Sequence, residues 1–368
     1  MRRIILTILT FIFCLSWAEV KVEKVLETTS IKEYNQWVSK NKTKYSGLKP
    51  FYLKSETIKW GKEYKVYYYD EDGNLRKQEL IKARPGKWLS MNTSPYDGII
   101  VLAESEDSHE AEPFGKHTIK DRLGRELCSF DWGFDEASTA GVRPLPGGIG
   151  ILRTRSYPSN SYSCYAELLT WDGKIFGRIE NLCHINIGSK ATPNKRFMVL
   201  NSEFTAILVE DGKELWRKSF PSGIEVGISD DGQYVAIGDA GTVYVYNRNG
   251  DSLYSFCFSH IMSNPRPIFS PDDKYLIVLA SGELALIDNA NGKLIWKVKT
   301  EAGKPLSCVA NKYIILIGSN KCYIYDFGGN LLTTIEEEQP KNWETNGDLL
   351  LIDIRDKTDL HKVVYRLK

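Results

Sequence analysis

The sequence predicts an all-β fold, a β-propeller of seven blades with a short N-terminal helix, or of eight blades if Pro50 to Ile81 forms one of its own. Three observations carry this. The stretch from Ile228 to Thr300 is two copies of one unit: Ser229-Asp230-Asp231-Gly232-Gln233-Tyr234 aligns with Ser270-Pro271-Asp272-Asp273-Lys274-Tyr275, an offset of 41 residues. A period near forty residues built from strands alone is the signature of a propeller or similar array. Two kinds of turn then recur along the chain, one after a strand and one before a strongly apolar strand, and each occurs seven times. Finally, aromatics make up 12% of the chain, with 20 tyrosines, which suits half-exposed strand faces.

The chain opens on a secretory signal: Arg2 and Arg3, an apolar run from Ile4 to Leu15, and Ser16-Trp17-Ala18 as a cleavage site that leaves Glu19 as the new N-terminus. Phe13 stands where a small residue would precede a lipidated Cys14, so lipid attachment is disfavoured. No second apolar stretch of spanning length follows, and the mature chain is expected to be secreted or periplasmic without a transmembrane span. Residues 19–60 read as an extension and 61–368 as the propeller. In the extension, Ser30-Ile31-Lys32-Glu33 has capping-box spacing, and Ile31, Tyr34, Trp37 and Val38 recur at helical intervals, which predicts a helix over 31–40. The lysines and aromatics that follow, among them Lys54, Lys59, Trp60, Lys62 and Tyr64, read as a solvated extended segment rather than a nucleic-acid site.

The first turn register pairs Asp or Asn at a strand end with a glycine: Asp70 with Gly73, Asp121 with Gly124, Asp172 with Gly173, Asp211 with Gly212, Asn247 with Gly250, Asp288 with Gly292 and Asp326 with Gly329. A short acceptor side chain and a residue free to take positive φ make hairpins, so these acids need no catalytic role. The second register precedes the runs Ile99–Leu102, Ile149–Leu152, Phe197–Leu200, Tyr234–Ile237, Tyr275–Leu279, Tyr313–Ile317 and Leu349–Ile352, apolar on both faces as strands inside a packed blade are. Six full units fit between Lys87 and Glu338. The C-terminal strands lack a successor and the hairpin Tyr64–Ile81 lacks a predecessor, so the termini are expected to complete one another and close the ring.

Forty-eight basic and 47 acidic residues leave a net charge of +1, which gives no electrostatic bias toward nucleic acid. Beyond the signal lie Cys128, Cys164, Cys183, Cys257, Cys308 and Cys322. Cys164 opens a strand and Cys183 follows the end of the next antiparallel one, so an oxidising compartment allows a Cys164–Cys183 disulfide, with two buried free thiols as the alternative. No pair has CxxC spacing, and the five histidines are scattered, so no metal site is expected. No GxSxG elbow is present and no catalytic residue is assigned.

Asp288-Asn289-Ala290-Asn291-Gly292-Lys293-Leu294-Ile295-Trp296 resembles the Asp, Gly-Lys and Trp signature of PQQ-like propeller repeats. Asp211-Gly212-Lys213-Glu214-Leu215-Trp216 is a second copy, and Leu168-Leu169-Thr170-Trp171-Asp172 is similar to the strand end of a WD40 repeat. The resemblance implies a propeller of the PQQ-like or WD40-like type. Such propellers include exported envelope scaffolds and quinone-dependent dehydrogenases.

Where the pattern breaks, function is expected. Two neighbouring units carry long connections between second and third strands, 104–112 and 154–163. Glu104, Glu106, Asp107, Glu110 and Glu112 make the first acidic, and Arg155, Tyr157 and Tyr162 mark the second, so together they are the expected partner-binding site. The function expected is a monomeric, exported scaffold that binds another protein or an envelope polymer, without cofactor. The alternative is a quinone-dependent oxidoreductase, supported by the two Gly-Lys-x-x-Trp units.

Overall fold

Short runs of alternating or wholly apolar residues, each ended by an Asx-Gly turn, give a chain made almost entirely of antiparallel strands. The structure, a computed structural model, describes residues 21–368 apart from 46, 95–96, 106–115, 132–138, 146–149, 157–163, 183–188, 203, 259–262, 310–311, 339 and 355–359. In order, β1 (Val22–Thr28) and helix α1 (Ile31–Asn41) are followed by β2 (Leu53–Lys59), β3 (Glu63–Tyr69) and β4 (Leu75–Lys82). Next come β5 (Trp88–Ser94), β6 (Ile99–Ser105), β7 (Lys116–Lys120) and β8 (Glu126–Asp131), then β9 (Thr139–Pro144), β10 (Ile151–Ser156), β11 (Cys164–Leu169) and β12 (Ile175–Glu180). Four more sheets of four strands lie within 190–219, 225–257, 266–299 and 304–336, and the chain ends with β29 (Pro340–Asn346), β30 (Leu349–Ile354) and β31 (Lys362–Leu367).

The described residues thus form eight sheets, one more than the favoured seven: six complete units, the sheet β2–β3–β4, and a closing sheet in the order β1–β31–β30–β29. The extra sheet arises because the hairpin from Tyr64 to Ile81 does not complete the C-terminal strands. It pairs instead with β2, whose polar sequence LKSETIK carries no apolar run to announce it. The closing strand is β1, paired from Val22↔Leu367 to Thr28↔Lys362, and Lys21 and Lys368 exchange backbone hydrogen bonds beside it. Closure by both termini leaves no open seam at the outer edge of the last sheet.

In the sheet of residues 225–257 the second strand is buried on both faces, as at Val235, Ala236 and Ile237, and the third buries one face through Val243 and Val245. Their side chains form apolar clusters between neighbouring sheets, such as Leu168, Ile179, Met198 and Ile207. Fourth strands are mostly exposed, as in Ser252–Cys257. Both turn registers are hairpin devices. Asp70 Oδ1 accepts from the amides of Asp72 and Asn74 at 3.0 and 2.8 Å, and Gly73 takes φ 79°. In the other register a buried hydroxyl ties the turn: Ser229 Oγ accepts from Tyr234 N at 2.9 Å and donates to Asp231 at 2.8 Å, and Ser270 repeats this with Tyr275 and Asp272.

Helix α1 begins one residue after Ser30, whose side chain accepts from Glu33 N, and it buries Tyr34, Asn35 and Val38. With Tyr45, Leu48 and Phe51 these residues pack on Leu349, Leu351 and Val364 of the closing sheet. Asn35 joins the helix to the next sheet, donating to the carbonyls of Phe51 and Asp70 and accepting from Phe51 N at 2.7 Å.

Candidate protein-binding face

In a four-stranded unit, the connection from second to third strand and the connection to the next unit emerge on the same face. A register shift beside an Asx-Gly turn marks third and fourth strands. It falls at Ile119/Lys120 in β7–β8 and at Leu168/Leu169 in β11–β12, and it recurs at Tyr68/Tyr69 in β3–β4. So β2, β3 and β4 correspond to second, third and fourth strands. The turn at Trp60–Lys62 therefore shares a face with residues 83–87 and with the ends of β6 at Ser105 and of β10 at Ser156.

Backbone contacts join these pieces. Leu89 N donates to the Gly61 carbonyl at 2.9 Å and Ala83 N to the Lys62 carbonyl at 2.8 Å. Gly61 has φ 65°, and a β-carbon there would lie 2.2 Å from the Trp88 ring, so only glycine lets the turn sit against Trp88. Trp60 then meets Trp88 edge to face, with centroids 4.5 Å apart and planes at 83°. Lys62 Nζ reaches the Lys87 carbonyl and lies 5.7 Å from the centroid of the Trp88 ring. Trp60 is 73% exposed and Ile58 54%, the two highest values among the large apolar residues described as exposed. Exposed indole is costly to leave in water and is enriched at binding hot spots.

The expected site residues fall in two groups. Glu104, near the end of β6, is a supporting residue: it accepts from Arg84 N at 2.8 Å and from Arg84 Nε at 2.7 Å. This bidentate pair fixes the root of the 106–115 connection beside the Trp60 turn. Arg155 lies in β10 between Ala140 and Tyr165. Glu106, Asp107, Glu110, Glu112, Tyr157 and Tyr162 lie outside the described residues. Cys164 is buried and disulfide-bonded, while Cys183 lies outside the described residues. Trp60, Ile58 and Trp88 are the residues that sequence reasoning passed over, since an aromatic directly before Gly-Lys in a hairpin was absorbed into a solvated lysine-rich segment.

The opposite face holds a cleft of about 280 Å³ lined by Tyr34, Leu48, Lys49, Asp97, Glu344 and Asn346. Lys49 and Asp97 pair across it, and that contact, with Ser94, holds the Asp97 carboxyl below its ordinary range against the effect of burial. Among the described residues no group of three His, Cys, Asp or Glu side chains is placed to hold a metal, and no helix is long and apolar enough to cross a membrane. The signature tryptophans are engaged in packing between sheets. Trp216 Nε1 donates to the Arg248 carbonyl at 3.1 Å and Trp296 Nε1 to that of Phe327 at 2.8 Å. Each indole lies against the turn glycine of the next unit, Gly250 or Gly329.

Residues 172–348, just under half of the chain, match a sequence family described as outer membrane protein assembly factor BamB. BamB from Moraxella catarrhalis has a similar structure, with a TM-score of 0.52 at 11% identity over 95% of this chain and 98% of that one. The β-propeller domain of Myceliophteria thermophila Cps50 (Swd1) aligns with a TM-score of 0.44 at 14% identity, over 77% of this chain and 98% of that domain. No curated protein matches in sequence. Repeated four-stranded sheets, indoles docked on the turns of the next unit and the likeness to BamB lead to one assignment: the chain has a β-propeller fold, and its residues 172–348 match the BamB-type family.

Proposed function

We propose that this chain is an exported scaffold of the cell envelope that binds a partner protein on the face carrying Trp60. The observation that carries the reading is the exposed Trp60–Trp88 pair, set on a glycine turn near the Arg84–Glu104 pair at the root of the first long connection. A large indole held in one position costs little entropy on binding, which is what a hot spot requires. The BamB-type match over 172–348 supports an envelope role, and the bonded Cys164 supports an oxidising compartment. Asn181 N donates to the Cys164 carbonyl at 2.6 Å, which brings the chain two residues before Cys183 beside Cys164 and supports that pairing. The quinone reading loses its support, since Trp216 and Trp296 serve the contact between sheets.

The test is affinity capture from envelope extracts with the mature chain and with a variant in which Gly-Ser replaces residues 106–112, leaving the Glu104–Arg84 pair intact. The reading expects the variant to recover a specific partner about tenfold less well at unchanged Tm. Equal recovery contradicts it.

A further inference from the structure

Seven of the eight sheets have four strands, and β2–β3–β4 lacks the innermost one. In the chain, α1 and the segment to Phe51 stand where that strand would be. The channel-side edge of β2 is therefore open where each other sheet carries one more strand. Tyr69 N donates to the Tyr52 carbonyl at 2.9 Å, and β2 and β3 are in the register Leu53↔Tyr68. Antiparallel alternation then turns the N–H and C=O groups of Lys54 and Glu56 toward β3 and those of Ser55 and Thr57 away from it. Among the described residues no backbone group pairs with Ser55 or Thr57 on that side.

The strand runs from wholly buried Leu53 to exposed Thr57, Ile58 and Lys59, and reaches the binding face at Trp60. Charge there is one-sided. Lys54, Lys82 and Arg84 are neutralised by Glu56, Glu63 and Glu104, whereas Lys59 and Lys62 have no ion-pair partner among the described residues. Natural sheet edges that must stay unpaired are covered, bulged or shortened. This one is seven residues long, keeps its regular register from Leu53 to Thr57 before a shift between Thr57 and Lys59, and ends in an exposed apolar and cationic step.

We propose that the channel-side edge of β2 takes an extended, acidic segment of a partner protein as the missing innermost strand. An apolar side chain of that segment seats on Trp60 and Ile58, and its carboxylates face Lys59 and Lys62. Main-chain hydrogen bonds supply the affinity of such strand addition, and side-chain pockets and charge supply its selectivity. The proposal rests on the reading of the Trp60 face as the binding face.

The experiment uses the full mature chain and two labelled, capped seven-residue peptides, one alternating Glu with Val and the other Lys with Val, with binding read by fluorescence anisotropy. The acidic peptide is expected to bind and the basic one not. Ser55→Pro and Lys59→Glu are each expected to weaken binding by about tenfold. Proline is tolerated where an edge N–H faces away from the ladder. In the unaltered chain, amide exchange over 53–59 is expected to slow when the acidic peptide is present, which keeps the test decisive should Ser55→Pro not fold. No binding of the acidic peptide, equal binding of the basic one, or no slowing over 53–59 overturns the proposal. Should these fail while replacing 106–112 still abolishes partner capture, strand addition falls and the binding face stands. Should partner capture also ignore that replacement, both fall.

Discussion

Trp296 Nε1 donates to the carbonyl of Phe327 at 2.8 Å, across the boundary between two sheets, with the indole lying on Gly329. The same relation between Trp216 and Arg248, on Gly250, shows that the recurring Trp is the part of the repeat that fastens one blade to the next.

Trp296→Ala removes this hydrogen bond and much of the packing against Phe327 and Tyr325. A loss of about 2–4 kcal/mol in urea unfolding is expected, since the indole is only partly buried. Partner binding should be unchanged, because the site of the change is remote from Trp60.

The Asp273 carboxyl is pushed up to about 6, first by burial and then by the charge of Asp231. Its folded value exceeds its unfolded one, so the folded state holds the proton more tightly. The carboxylate therefore weakens the fold above pH 6, and that cost fades as pH falls through 6 and is gone below about 4. Asp273→Asn should raise the unfolding free energy at pH 8, by about 1 kcal/mol or less after allowance for solvent screening, and leave it unchanged at pH 4. Asn tolerates the residue's φ of 56° as Asp does.

Lys362 is 1% exposed, its Nζ 2.8 Å from Asp353 and 5.8 Å from the centroid of the Tyr34 ring. The contact with Tyr34 ties the closing sheet to α1. Asp353→Ala takes a carboxylate away from a buried ammonium and is expected to lower stability by about 3 kcal/mol, measured by denaturant unfolding. The double variant Asp353→Ala, Lys362→Met should recover part of that loss, because the buried charge is gone.

A Cys164–Cys183 crosslink is expected in a peptide map of non-reduced protein. Its reduction should lower stability by about 2–4 kcal/mol through the freed chain. A map that joins Cys164 to another cysteine would remove the pairing.

How much was legible follows from what kind of signal each element carries. The six complete units and α1 announced themselves through apolar runs, Asx-Gly turns and a capping Ser30. The strands β1 and β2 did not, because VEKVLET and LKSETIK owe their conformation to the strands they pair with rather than to an apolar pattern. The weak signal of β2 is what left seven favoured over the eight units that a separate sheet within Pro50 to Ile81 would make. Glu104 looked like a free loop carboxylate, since nothing local links it to Arg84, 20 residues earlier in the chain. The meeting of Trp60 with Trp88 is likewise a contact between sheets that no local pattern could display.

The most direct measurement is recovery of the proposed partner protein by the chain and by Trp60→Ala, with Trp296→Ala as a control for stability alone. Trp60 is mostly exposed, so its removal should leave Tm unchanged. The account predicts that Trp60→Ala loses partner binding by about tenfold or more while Trp296→Ala retains it. Equal recovery by Trp60→Ala and the unaltered chain would contradict it.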